Sequence, residues 1–228
     1  MKSLARSFYD SPMRPEKIEE LSFATIDREA PAHNFSEEEW IIVRRMIHST
    51  ANFELAKYTR MSPDAMESAT NALSSGKHIY VDSNMLKAGI SAARLKSIFP
   101  GYTKDMIHCH VADADVAAEA KESGMPRSLH AIRKAKDKLA DGGMFCFGNS
   151  PVALMELSRM ILEDGVKPSL VVAMPVGFVN VVESKDEFMS LGVPFVGISG
   201  RFGGSSIAVS TIHSLCAIAV ERKKNSEQ

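Results

Sequence analysis

Five short apolar runs, His78–Val81, Met106–Cys109, Met144–Phe147, Leu170–Ala173 and Pro194–Ile198, lie about 20 to 35 residues apart. Each opens into a polar or glycine-bearing loop, and each loop leads to a stretch with helical periodicity. None of the runs alternates strictly between apolar and polar residues, so both faces of each strand must be covered. The intervals are long enough for a helical crossover and too long for hairpins. The pattern therefore predicts an α/β fold with a doubly wound, mainly parallel sheet flanked by helices. The crossover helices are expected at Asp113–Lys121, Ser128–Leu139, Pro151–Leu162, Phe178–Ser190 and Ser205–Val220. Upstream, Ser36 followed by Glu37, Glu38 and Glu39 marks a helix start with a capping-box carboxylate at the third position. Residues 1–76 are expected to be a helical extension on an α/β core of residues 77–222, the whole forming a single domain, 1–228.

Composition narrows the function classes. With 228 residues, 45% of them hydrophobic, the chain can bury a full core, which excludes a disordered protein. Lys and Arg number 27 against 28 Asp and Glu, a net charge of −1, so the field of the whole molecule does not attract nucleic acid. Three cysteines without C-x-x-C spacing make neither a disulfide framework nor a zinc ribbon. They fit a reducing compartment. Without an apolar leader or an 18-residue apolar run, the expectation is a soluble cytoplasmic protein with no membrane partner.

In an open parallel sheet, ligands bind beyond the carboxyl ends of the strands. The residues there are Asp82-Ser83-Asn84, His110 to Asp113, Gly148-Asn149-Ser150, Pro175 to Phe178, and Gly200 to Ser205. The last is the most suggestive: a glycine-rich turn opening a helix offers free N–H groups to an anion, and Arg201 adds a charged fork. The competing interpretation is a tight turn and nothing more. His108 and His110, two apart with Asp113 beyond, raise a metal-dependent hydrolase as a rival, although nothing is spaced to complete a ligand shell, and hydrogen-bonded structural histidines are the simpler expectation. His48 closes the first long helix beside Arg44, Arg45, Ser49 and Thr50. An imidazole, with an ordinary pKa near 6.5, transfers protons at neutral pH; the alternative is a helix-end histidine favoured by the dipole. Lys57 and Arg60, with the two arginines, form either a basic wall for a polycarboxylate or ordinary surface charge.

Together these segments resemble the precorrin-8X methylmutase (precorrin isomerase) family of cobalamin biosynthesis. The matching text is Ile42 to Thr50 with Phe53; Asp82-Ser83-Asn84-Met85 with Ala88-Gly89-Ile90; Cys109 to Asp113; and Arg127-Ser128. It continues with Gly148 to Pro151, Ala153-Leu154 and Pro168 to Val171. The most specific block is Pro175-Val176-Gly177-Phe178-Val179-Asn180 with Glu183-Ser184-Lys185, followed by Gly200-Arg201 and Gly203-Gly204-Ser205. Departures from the family pattern include Asn52, Val152, Phe202 and His213, where an acid, Thr, a basic residue and Asn are usual.

The resemblance implies an α/β homodimer that moves the C-11 methyl group of a tetrapyrrole to C-12. Precorrin-8X would become hydrogenobyrinic acid, or cobalt-precorrin-8 cobyrinic acid, through a 1,5-sigmatropic shift. Such a shift needs no cofactor and no protein-bound metal. The family's essential histidine falls on His48. Substrate contacts are expected from Arg45, Ser49, Thr50, Asp82, Arg127, Ser128, Gly148, Asn149, Arg201, Gly203, Gly204 and Ser205. A non-catalytic tetrapyrrole-binding protein is the remaining alternative.

Overall fold

The computed structural model describes residues 3–226. The amino-terminal third contains helices α1 (Leu4–Asp10), α2 (Pro15–Glu29), α3 (Glu37–Thr50) and α4 (Leu55–Tyr58), strand β1 (Thr59–Met61) and helix α5 (Ala65–Ser74). The remainder runs β2 (Ile79–Val81), α6 (Asn84–Gly89), α7 (Ala92–Ile98), β3 (Ile107–His108), α8 (Ala114–Ser123), α9 (Arg127–Leu139) and β4 (Met144–Phe147). It ends with α10 (Pro151–Asp164), β5 (Leu170–Ala173), α11 (Val181–Met189), β6 (Phe195–Ile198) and α12 (Ser205–Ser226). All five apolar runs are strands. They form a six-stranded sheet in the order β1-β6-β5-β4-β2-β3, with every pair parallel except β1 on β6.

Alternate residues of the strands feed two separate cores. Ile79, Val81, Met144, Cys146, Leu170, Val172, Val196 and Ile198 face a core closed by α3, α5 and α12. Tyr80, Phe145, Phe147, Val171 and Ala173 face the opposite core, with Ile132 and Ala135 of α9, Leu154 and Leu157 of α10, and Phe188 of α11. Burial on both faces is why these strands are apolar throughout rather than at every second position.

Sequence and structure part in three places. The helix that His48 closes is not the first long one, because Pro15–Glu29 already forms a helix of 15 residues ahead of it. The amino-terminal extension is not wholly helical, because Thr59–Met61 joins the sheet as an antiparallel edge strand against β6. Only three residues long and burying mainly Thr59, it carries no apolar run that could have signalled it. The helix expected from Phe178 begins only at Val181. Asn180 takes the left-handed conformation with φ +56°, so the chain from Pro175 to Asn180 remains a loop, and Phe178 is 83% exposed.

The capping box at the start of α3 is formed: Glu39 N–H donates to Ser36 Oγ, and the Glu39 carboxylate accepts from Ser36 N–H at 2.8 Å. At the far end Ala51 takes the left-handed conformation that closes the helix. The helix α3 packs antiparallel to α12: Arg222 pairs with Glu38 at 2.6 Å, and Ser214 Oγ donates to the Ile41 carbonyl. Trp40 and Phe53, apolar side chains that the sheet does not reach, are partly buried within the same chain. Trp40 stacks on His33 with ring centres 4.0 Å apart and donates its indole N–H to Asp27, while Phe53 packs against the first core.

Two histidines make the fold sensitive to acid. Burial pushes His108 down to about 4, helped by the neighbouring His78, and burial likewise pushes His213 down to about 4, aided by Arg94 and Arg45. His213 Nε2 accepts the Ser91 N–H at 3.1 Å, a bond that needs the neutral ring. Because the folded pKa lies below the unfolded value near 6.5, stability is complete above that value and is lost as pH falls from 6.5 towards 4. The contribution of His213 is on the order of 2 kcal/mol. Urea unfolding at pH 7 and pH 4.5 should show a smaller loss for His213→Asn, whose side-chain oxygen can accept the same N–H without titrating; an unchanged loss would remove His213 as a source.

Candidate active site

The direction of winding reverses between β2 and β4, neighbours whose following loops depart to opposite faces of the sheet. Such a switch point opens a crevice at the carboxyl ends of the strands. Asp82, immediately after β2 and only 1% exposed, crosses it. Its carboxylate accepts the N–H groups of Gly148, Asn149 and Ser150 at 3.1, 2.8 and 2.6 Å, fixing the loop after β4. Burial raises the Asp82 pKa and these donors oppose the rise. Its oxygens are thus committed to the backbone, and Asp82 shapes the floor of the crevice.

Other contacts draw neighbouring segments to the same edge. Ser150 Oγ donates to Ser128 Oγ at 2.8 Å, anchoring the start of α9 with exposed Arg127 beside it. Ser83 and Ser205 hydroxyls meet at 3.0 Å. Gly148 lies flat on the backbone of Ser205, where an added Cβ would fall 2.7 Å from its Cα. Gly203 passes so close to the carbonyls of Met174 and Pro175 that a Cβ would collide with both oxygens, and Gly204 N–H donates to the Met174 carbonyl at 2.9 Å. The guanidinium of Arg201 sits 5.5 Å from the Phe178 ring centre, an arrangement that favours the cation. Asp82, Arg127, Ser128, Gly148, Asn149, Arg201, Gly203, Gly204 and Ser205 therefore share one edge of the molecule.

His48 reaches that end by another route. From the Ile41–Ser214 contact, His48 lies about 10 Å along α3 and Ser205 about 14 Å along α12. The antiparallel packing thus carries His48 towards the level of the first turn of α12. The ring is exposed, edge-on to Phe23 at 5.2 Å, and its Nδ1 is 2.7 Å from Ser22 Oγ. Its Nε2 makes no hydrogen bond among the described residues. Ser22 belongs to α2, 26 positions away in sequence, and no local motif marks it as the partner.

The immediate sequence neighbours of His48 have other work. Ser49 and Thr50 donate their hydroxyls to the Met46 carbonyl of their own helix. Arg45, expected to face a carboxylate of a ligand, is paired with Glu19 at 2.8 Å, and Arg44 with Asp27 at 2.7 Å. Both guanidinium groups lie over Phe23. These residues clamp α2 onto α3 and so hold Ser22 against His48. Arg60 donates to the carbonyls of Lys57 and Thr59, and Lys57 pairs with Glu54.

The histidines at the end of β3 and just beyond it are also engaged. His108 Nε2 and His78 Nδ1 are 2.7 Å apart, and His110 Nδ1 is 2.9 Å from Asp113, which Lys134 also holds. Among the described residues no group of three or more His, Cys, Asp or Glu is arranged to hold a metal ion. All three cysteines are buried and free.

Comparison with known proteins decides the family. The precorrin-8X methylmutase family model matches residues 17–218. The chain belongs to the precorrin-8X methylmutase family. This makes it a methylmutase, an isomerase of cobalamin biosynthesis. Among its relatives, the cobalt-precorrin-8 methylmutase of Leptospira interrogans is 38% identical over 212 residues, spanning 90% of this chain and 94% of the relative. The enzyme of that name from Priestia megaterium is 39% identical, over 91% of this chain and 89% of its own. A precorrin-8X methylmutase from Sinorhizobium is 37% identical, over 91% and 96%. The crystal structure of precorrin-8X methylmutase from Thermus thermophilus superposes with a TM-score of 0.83 at 39% identity, covering 91% of this chain and 97% of that one.

In this methylmutase the Asp82 contacts hold three backbone N–H groups of the crevice. Asp82→Ala leaves buried donors without acceptors and is expected to cost about 3 kcal/mol in urea unfolding. A change below about 0.5 kcal/mol would mean that the loop after β4 holds its shape unaided.

Proposed function

We propose that this methylmutase moves the C-11 methyl group of precorrin-8X or cobalt-precorrin-8 to C-12, giving hydrogenobyrinic acid or cobyrinic acid. The shift is intramolecular and concerted, a 1,5-sigmatropic migration, and draws on no organic cofactor or resident metal. His48 acts at the chemical step by protonating or hydrogen-bonding the macrocycle near the migrating centre. The observation that carries this reading is the state of its ring, with Nδ1 held by Ser22 and Nε2 open at an exposed helix end. A fixed ring with one free nitrogen can present a proton to a ligand without reorganising.

The carboxyl edge of the sheet supplies the other half of the site. Arg127 at the start of α9, Arg201, and the N–H groups at the start of α12 meet carboxylates at the rim of the tetrapyrrole. Asn149 is exposed at the same edge, beside the buried Gly148 and Ser150. Asp82, Gly148 and Ser128 contribute by holding this edge in shape. Arg45, Ser49 and Thr50 serve the site by fixing the end of α3.

The chain is taken as one functional unit that acts in the cytoplasm as a homodimer. Trp40 and Phe53 already pack in part against their own chain, so the main support for the dimer comes from α1 and α2, where Leu4, Phe8, Tyr9, Ile18 and Leu21 remain exposed. Among the described residues no helix is long and apolar enough to cross a membrane.

Two measurements test the proposal. His48→Ala should lower kcat by roughly 10²-fold or more while leaving affinity for hydrogenobyrinic acid within a few-fold. His48→Asn, which donates a hydrogen bond but does not ionise, separates proton transfer from polarisation: activity near wild type in the Asn variant alone would assign polarisation, and full activity in both would remove His48 from the chemistry. Light scattering should give a dimer that Ile18→Asp with Leu21→Asp converts to monomer. A wild-type monomer with full turnover would refute the assembly.

A further inference from the structure

Lys185 lies on α11 with its side chain wholly buried, yet no carboxylate is paired with it among the described residues. Its ammonium donates instead to two backbone carbonyls of the glycine turn, those of Gly200 at 2.9 Å and Phe202 at 2.6 Å. In a trans peptide the C=O and the following N–H point in opposite directions. With the oxygens of residues 200 and 202 drawn inward to Lys185, the N–H groups of Arg201 and Gly203 face away from it. Neither N–H has a hydrogen-bond acceptor among the described residues. Gly200, in the left-handed conformation at φ +70°, and Gly203, pressed against the Met174 and Pro175 carbonyls, permit the backbone path that this requires.

We infer that Lys185 is a positioning residue for the methylmutase reaction, orienting the Gly200–Gly204 backbone towards an anionic group of the substrate and placing a positive charge behind it. The inference rests on the assignment of this turn to carboxylate binding. A buried lysine is a costly way to hold a loop, since an apolar side chain would avoid the desolvation of a charge. The charge itself acts at short range in a poorly screened setting, where a single cation has a large effect on an anion nearby. Its surroundings also make it titratable: burial lowers the Lys185 pKa to about 8, only partly offset by the adjacent Asp186 carboxylate. Asp186 on α11 is the charged group that acts on it. The neutral amine above that pH can still donate to both carbonyls, so loss of the proton removes charge while keeping the turn in place.

The consequence is specific to binding. Affinity of the wild-type enzyme for hydrogenobyrinic acid should fall by roughly tenfold between pH 7 and pH 9.5, as Lys185 loses its proton, and KM should rise in parallel. Lys185→Met should bind weakly at pH 7 and show no further loss up to pH 9.5, with kcat near wild type and circular dichroism reporting its folded state. Arg201→Ala should weaken binding at pH 7 but retain the pH dependence. A wild-type affinity that stays flat from pH 7 to 9.5 overturns the inference, and this arm does not depend on a variant folding. A pH dependence that persists in Lys185→Met also overturns it. If Arg201→Ala weakens binding while Lys185→Met binds as wild type, the turn holds substrate and the lysine is dispensable. If both variants bind as wild type, the assignment of the turn itself fails.

Discussion

A buried carboxylate needs donors, and buried backbone N–H groups need acceptors; Asp82 answers both requirements at the point where the sheet changes its direction of winding. The carboxyl ends of β2 and β4 are neighbours whose loops leave in opposite directions, so nothing in the ladder of the sheet itself holds the loop after β4 in place. Three N–H groups converging on one carboxylate do so. From that fixed loop the contacts run outward through Ser150 to Ser128 and through Gly148 to the backbone of Ser205. The starts of α9 and α12, with Arg127 and the glycine turn, inherit their positions from it.

The second half of the proposed site is built on different physics. The helix α3 is carried to the edge by its packing on α12, and α2 is held across α3 by two ion pairs flanking the Phe23 ring. Partly exposed ion pairs contribute little stability on their own. Their value here lies in geometry: spaced along one helix face and combined with a shared aromatic surface, they leave α2 one register, in which Ser22 meets His48. A basic pair beside a histidine thus serves to place a hydroxyl on the imidazole, and in the proposed reading the cations that meet a substrate come from α9 and the turn before α12.

Local pattern reveals an element when its burial is continuous or periodic over several residues or its ends carry their own chemistry. The five parallel strands were legible because strands covered on both faces must be continuously apolar, and α3 because Ser36 and Glu39 cap each other. The edge strand β1 was not, since a three-residue strand burying mainly one threonine has no period to detect. The start of α11 was misplaced because Phe178 and Val179 suit a helix by composition, while the left-handed Asn180 that delays it is a single backbone choice. The glycine turn and His48 were visible as residue types. Ser22 and the carbonyl-bound Lys185 were not, because their partners lie on other elements.

The amino-acid sequence by itself determined the class of fold, the approximate place of its parallel strands and principal helices, and the chemical groups from which the proposed site is drawn, since these follow from apolar patterning and from short motifs whose members are neighbours in the chain. Only the tertiary structure decided which groups meet. Asp82 turns to the backbone, Arg45 turns to Glu19, and Lys185 reaches beneath the glycine turn. Each choice answers a demand that no local pattern expresses: a buried charge or a buried N–H must be satisfied by whatever the packing of distant segments brings within about 3 Å.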